Sequence, residues 1–95
     1  MDLLLAYDVA TDTAAGRRRL RLVAKACESY GVRVQYSVFD LVLDDHELEL
    51  LMDRLSTVID HQHDNVRIYR LQGGKPVRTL GRTRPLTTTR GPLVL

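Results

Sequence analysis

Apolar positions at the start of the chain alternate on both sides of an extended segment. Between Asp2 and Val9, Leu3, Leu5 and Tyr7 fall on one side and Leu4 and Ala6 on the other, the pattern of a strand buried in the middle of a sheet. The period then lengthens. From about Thr13 to Tyr30, Leu20, Val23, Ala24, Cys27 and Tyr30 share one helical stripe, while Arg17, Arg18, Arg21 and Lys25 spread over the opposite side. Gly31 suits the C-terminus of this helix. Val32 to Leu43, rich in β-branched and aromatic residues, reads by its periodicity as one long strand. Asp44 followed by Glu47 predicts a capping box that opens a second helix, with Leu48, Leu51, Met52, Leu55 and Ile59 as its buried stripe. Asp60 to Asp64 is a polar exit loop, and Val66, Ile68, Tyr69 and Leu71 mark a strand. Gly73-Gly74 then turns the chain into a short extended segment, Pro76 to Leu80, which its proline places at a sheet edge.

This order of elements predicts an α+β fold, a ferredoxin-like split βαβ sandwich with two helices covering one face of an antiparallel sheet. Residues 1–80 form its one domain. Residues 81–95, with Gly, Pro and Thr and no helical period, read as a C-terminal tail. A chain of 95 residues buries only a modest core, so association that covers the other sheet face is favoured.

Charge changes the picture more by its distribution than by its sum of +2. After Asp64 the chain has no acid, only the cations Arg67, Arg70, Lys75, Arg78, Arg82, Arg84 and Arg90. The acids gather instead at Asp44, Asp45, Glu47, Glu49, Asp53 and Asp60. Such separation favours a polyanionic partner on one side. The lone Cys27 forms no internal disulfide, and no run has the form of a signal peptide or of a membrane span, so a cytoplasmic location is expected.

Asp8 carries the sharpest candidate chemistry. A carboxylate where a central strand meets a loop can hold a hard divalent cation against a phosphate, since magnesium commonly needs only one or two carboxylates. In a two-fold dimer, two such side chains near the axis can share one ion. The alternative is that Asp8 accepts hydrogen bonds from loop amides. Asp12, just before the helix, reads as a cap. The cluster Arg17-Arg18-Arg19 matches phosphate geometry, or else is a solvated helix face. Phe39 is the only Phe and Trp is absent, which disfavours base stacking on the sheet and leaves recognition of a duplex backbone. Gln35 and Ser37 share one strand face and suit a half-buried interface. His61 and His63 lack a third ligand, and Cys27 lies on the core stripe.

Three motifs in order, YD after an apolar strand, the basic cluster Arg17-Arg18-Arg19-Leu20, and GVRVQYSVF from Gly31 to Phe39, resemble the small CRISPR-associated adaptation proteins. These are the non-integrase subunits of the spacer-acquisition complex, often described as metal-dependent endonucleases. The resemblance spans roughly Met1 to Leu80. It implies that the long strand is broken near Gln35-Tyr36-Ser37 and that the sheet is covered by a second copy in a homodimer, whose final strand extends the neighbouring sheet. Tyr7, Phe39 and the apolar strand residues are expected to supply that interface. The resemblance further implies an endonuclease or endoribonuclease with Asp8 as catalytic metal ligand, Mg2+ or Mn2+ as cofactor, and a CRISPR integrase and duplex DNA, or RNA, as partners. Arg17, Arg18, Arg19, Arg21 and Arg78 are the expected nucleic-acid contacts. A non-catalytic nucleic-acid scaffold, a toxin-like ribonuclease or a regulatory ligand-binding module on the same fold are the competing readings.

Overall fold

A computed structural model describes residues 1–71 and 76–82. Five strands and two helices follow in the order β1 (Asp2–Asp8), α1 (Ala14–Glu28), β2 (Gly31–Gln35), β3 (Val38–Val42), α2 (Asp45–Val58), β4 (Asn65–Arg70) and β5 (Pro76–Gly81). They form one sheet in the order β2-β3-β1-β4-β5, with every neighbouring pair antiparallel. Each helix bridges two strands that flank a third, the split βαβ arrangement.

The strand period decides which residues meet the helices. Leu3, Leu5 and Tyr7 of β1 are buried with Phe39, Leu41, Val66 and Ile68 against Val23, Ala26 and Cys27 of α1 and Leu48, Leu51, Met52 and Leu55 of α2. The stripe expected for α2 is therefore buried in full, Ile59 included. Its capping box is present: Asp44 accepts from the Glu47 amide at 2.7 Å and Glu47 accepts from the Asp44 amide at 3.0 Å. The start of α1 is capped by Thr13, whose Oγ1 accepts from the Gly16 amide at 2.9 Å, so Thr13 takes the role expected of Asp12.

The long strand expected from Val32 to Leu43 is two strands joined by a turn at Tyr36 and Ser37. The break comes from outside the segment. The Tyr7 amide donates to the Ser37 carbonyl at 3.0 Å, the Tyr7 hydroxyl donates to the Tyr36 carbonyl at 3.2 Å, and the β2–β3 register shifts between Arg33 and Gln35. Gln35 and Ser37 consequently do not share a continuous strand face. Gly31 is not a left-handed helix cap either, because α1 ends at Ser29 in right-handed geometry. It opens β2, where an added Cβ would lie 2.3 Å from the Asp40 carbonyl oxygen across the ladder.

Tyr7 and Phe39, expected at an interface between copies, stack with ring centroids 6.1 Å apart beneath the helices. The uncovered face is made by the alternate residues: Leu4 and Ala6 half-buried, and Val32 and Val42 exposed by 69% and 71%. In the single chain β5 lies on β4 of its own sheet, forming the expected edge. Of the tail expected over residues 81–95, Gly81 closes β5 and the Arg82 amide bonds the Asp64 carbonyl; residues 83–95 and the connection through Gly73-Gly74 lie outside the described residues. Among those described, no helix is long and apolar enough to cross a membrane.

Candidate active site

One end of the sheet gathers the C-terminal end of β1, the N-terminal end of β4 and the C-terminal end of β5, since Asp8 stands opposite Asn65 and Asn65 opposite Gly81. Asp8 is exposed on the face away from the helices, the face shared by Leu4 and Ala6. The chain leaves Asp8 through buried Val9 and enters α1 within one short loop. The basic helix start thus comes to the same end as the carboxylate. Arg17, Arg18 and Arg21 are exposed there, and Arg17 donates to the Thr11 carbonyl at 3.4 Å.

Arg19 has a different task. Its Nε donates to Oδ2 of Asp64 at 2.8 Å, and Asp64 is fully buried. The hydrogen bond it donates to Asp64 raises the Arg19 pKa above its ordinary value. The same carboxylate accepts from the Ala10 amide at 3.0 Å and from the Asp60 amide at 2.8 Å, while the Asp64 carbonyl accepts from the Arg82 amide at 2.8 Å. Gly81 makes this junction possible. Its φ is +82°, and a Cβ there would lie 2.2 Å from the Asp64 carbonyl oxygen.

Asp64 therefore binds the loop after Asp8, α1, the loop before β4 and the end of β5 into one frame. Arg19 belongs to that frame and not with the exposed Arg17, Arg18 and Arg21. Removing the carboxylate would leave the Ala10 and Asp60 amides without their acceptor, each unsatisfied buried donor costing about 1–3 kcal/mol. Asp64→Ala is expected to lower the thermal midpoint by more than about 10 °C, read by circular dichroism.

Arg78 is likewise engaged. It faces the helices from β5 and forms a two-pronged pair with Glu49 of α2, one contact at 3.2 Å and a shorter one from Nη1 to Oε2. That pairing raises the Arg78 pKa and lowers that of Glu49. In its place the structure brings Arg82, exposed, to the Asp8 end. The remaining candidates fall outside the site. His61 bonds the Ser56 carbonyl, and His63 pairs with Asp60, whose pKa is lowered first by the Gln62 amide and then by His63. Burial pushes the Cys27 thiol up to about 12, so it is packing and not a nucleophile.

Sequence reasoning missed Asp64, Asn65 and Arg82. One signal for the first was available. Arg19 lies four residues before Val23 and seven before Ala26, on the inward stripe of α1, and a cation placed there calls for a buried acid.

Fold and site together define a ferredoxin-like α+β protein with an exposed acid at the end of its central strand and a basic first helix. The family model described as CRISPR associated protein Cas2 matches residues 1–78. Among curated proteins, the chain is 49% identical over 71 residues to the CRISPR-associated endonuclease Cas2 of Halalkalibacterium halodurans, covering 75% of this chain and 74% of that one. It is 41% identical over 97 residues to the CRISPR-associated endoribonuclease Cas2 of Nitratidesulfovibrio vulgaris, covering 100% and 94%. The crystal structure of Streptococcus pyogenes Cas2 superposes with a TM-score of 0.71 at 48% identity, over 75% of this chain and 86% of that one. The chain belongs to the Cas2 family of CRISPR-associated proteins, and by family it is a nuclease.

Proposed function

We propose that the chain acts in CRISPR spacer acquisition as a homodimer that holds duplex DNA beside the integrase and hydrolyses phosphodiester bonds with a divalent cation at Asp8. The observation that carries this reading is an exposed carboxylate at the end of β1, from which one short loop leads into the exposed basic start of α1, Arg17, Arg18 and Arg21.

The residues fit a hard cation. Asp8 supplies an anionic oxygen, and directly across the ladder Asn65 buries a side-chain oxygen that has no hydrogen-bond partner among the described residues. Mg2+ or Mn2+ held there would polarise the scissile phosphate and lower the pKa of a water. The arginines neutralise and orient the nucleic-acid backbone, with shape and charge outweighing base identity. Chelation with EDTA is expected to abolish cleavage, and added Mg2+ or Mn2+ to restore it. Cleavage that survives EDTA would exclude the metal role.

The uncovered face supports the dimer. Leu4, Ala6, Val32 and Val42 put apolar side chains on this face, with Asp40 between Val32 and Leu4, a mixed surface of the kind that a second copy can cover. In such a dimer β5 can exchange its own β4 for the partner's. Sedimentation at micromolar concentration is expected to show a stable dimer, and Val42→Asp to shift it toward monomer. A wild-type chain that stays monomeric would remove both the shared cation and the bridging role.

A non-catalytic scaffold is the second reading. It is favoured by the absence, among the described residues, of any group of three His, Cys, Asp or Glu side chains placed to hold a metal. RNA as substrate is supported by the endoribonuclease names of relatives such as that of N. vulgaris.

A further inference from the structure

We propose that Asn65 is a positioning residue of the Asp8 site, its Oδ1 accepting a hydrogen bond from a water of the cation bound at Asp8. The inference rests on the metal reading of Asp8 and deepens it.

Asn65 is only 3% exposed, at the first position of β4. Its amide orientation is fixed by chemistry, because Nδ2 donates at 2.5 Å to the Arg82 carbonyl, which can only accept. The carbonyl end of the side chain is thereby turned away from Arg82, and Oδ1 is buried with no partner among the described residues. Buried acceptors are rarely left so in folded proteins without a functional reason or a bound water or ion. Asp8 stands directly opposite Asn65 in the antiparallel ladder, and residues so paired project from the same face with Cβ atoms about 5 Å apart. That separation suits a hydrated cation on the carboxylate with one of its waters turned to the amide oxygen.

A second orphan on the same face completes the argument. The Nε of Arg67, two residues along β4, is a buried donor without a partner. An unused acceptor and an unused donor, both beside one carboxylate, suit a ligand that brings opposite charges together. A hydrated cation with a phosphate oxygen is such a ligand. Asn rather than Asp at position 65 supplies the oxygen without adding a second negative charge to the site.

Mn2+ binding to the nucleic-acid-free protein, followed by electron paramagnetic resonance, tests this. Asp8→Asn is expected to lose Mn2+, and Asn65→Ala to bind it at least about tenfold more weakly. Asn65→Asp is expected to match or exceed wild type, although it loses the Nδ2 bond to Arg82, an order that a purely structural asparagine would not give. In the 15N-labelled wild type, Mg2+ is expected to shift the Asn65 side-chain amide signals, with no such shift in Asp8→Asn. Loss of Mn2+ in Asp8→Asn with unchanged affinity in both Asn65 variants would overturn the role of Asn65 alone. Unmoved Asn65 signals in the wild type would do the same without relying on any variant's fold. Retention of Mn2+ by Asp8→Asn would overturn the metal reading beneath it.

Discussion

Asp8→Asn is expected to leave dimerisation and duplex binding close to wild type while lowering metal-dependent cleavage by roughly a thousandfold. The substitution conserves side-chain volume at an exposed strand end, so the core beneath Leu5 and Tyr7 is untouched. What it removes is the anionic oxygen, and the transition-state stabilisation of several kcal/mol that a bound cation supplies goes with it. Cleavage assays on rigorously purified protein measure this directly. Undiminished cleavage by the variant would show that the metal assignment is wrong and would favour the scaffold reading.

The triple substitution of Arg17, Arg18 and Arg21 by Ala is expected to weaken binding to unrelated duplexes by similar factors, on the order of a hundredfold at moderate salt. Each phosphate contact releases about 0.9 counterion from B-form DNA, so three lost contacts flatten the log–log salt dependence by about 2.7. Fluorescence anisotropy across a salt series gives both numbers. Arg19→Ala should behave otherwise, because that side chain is held by Asp64: its effect belongs to thermal stability, with little change in the salt slope. An unchanged slope in the triple variant would move the nucleic-acid surface elsewhere. Strong preference among duplex sequences would contradict a surface that reads only phosphates.

The helices, the capping box of α2 and its buried stripe were legible in the sequence because each depends on a local period or a motif spanning one turn. The turn at Tyr36-Ser37 was not legible from periodicity, since β-favouring residues run unbroken from Val32 to Leu43 and the break is imposed by Tyr7 of another strand. Resemblance placed it correctly. Assigning Tyr7 and Phe39 to an outer interface failed for a related reason. Alternation separates the two faces of a strand but does not say which of them the helices will cover.

The sequence singles out Asp8 and the exposed side of α1 as candidates, and not the support beneath them. Asp64 sits in a polar run that reads as an ordinary loop. Its burial follows only from the convergence of Ala10 and Arg19, distant by 54 and 45 positions along the chain. Arg78 looked equivalent to its neighbouring cations until α2 presented Glu49 beside it.

That convergence on Asp64 bears on how this end of the molecule fluctuates. A loop fixed by its own local bonds can open alone, at small free energy, while the rest of the protein stays closed. Here the residues just after Asp8 hang from the same acid that tethers α1, the entry to β4 and the end of β5. The stretch beside Asp8 opens only by giving up its Ala10 bond to a fully buried carboxylate. Its openings are thus tied to the stability of the whole sheet end.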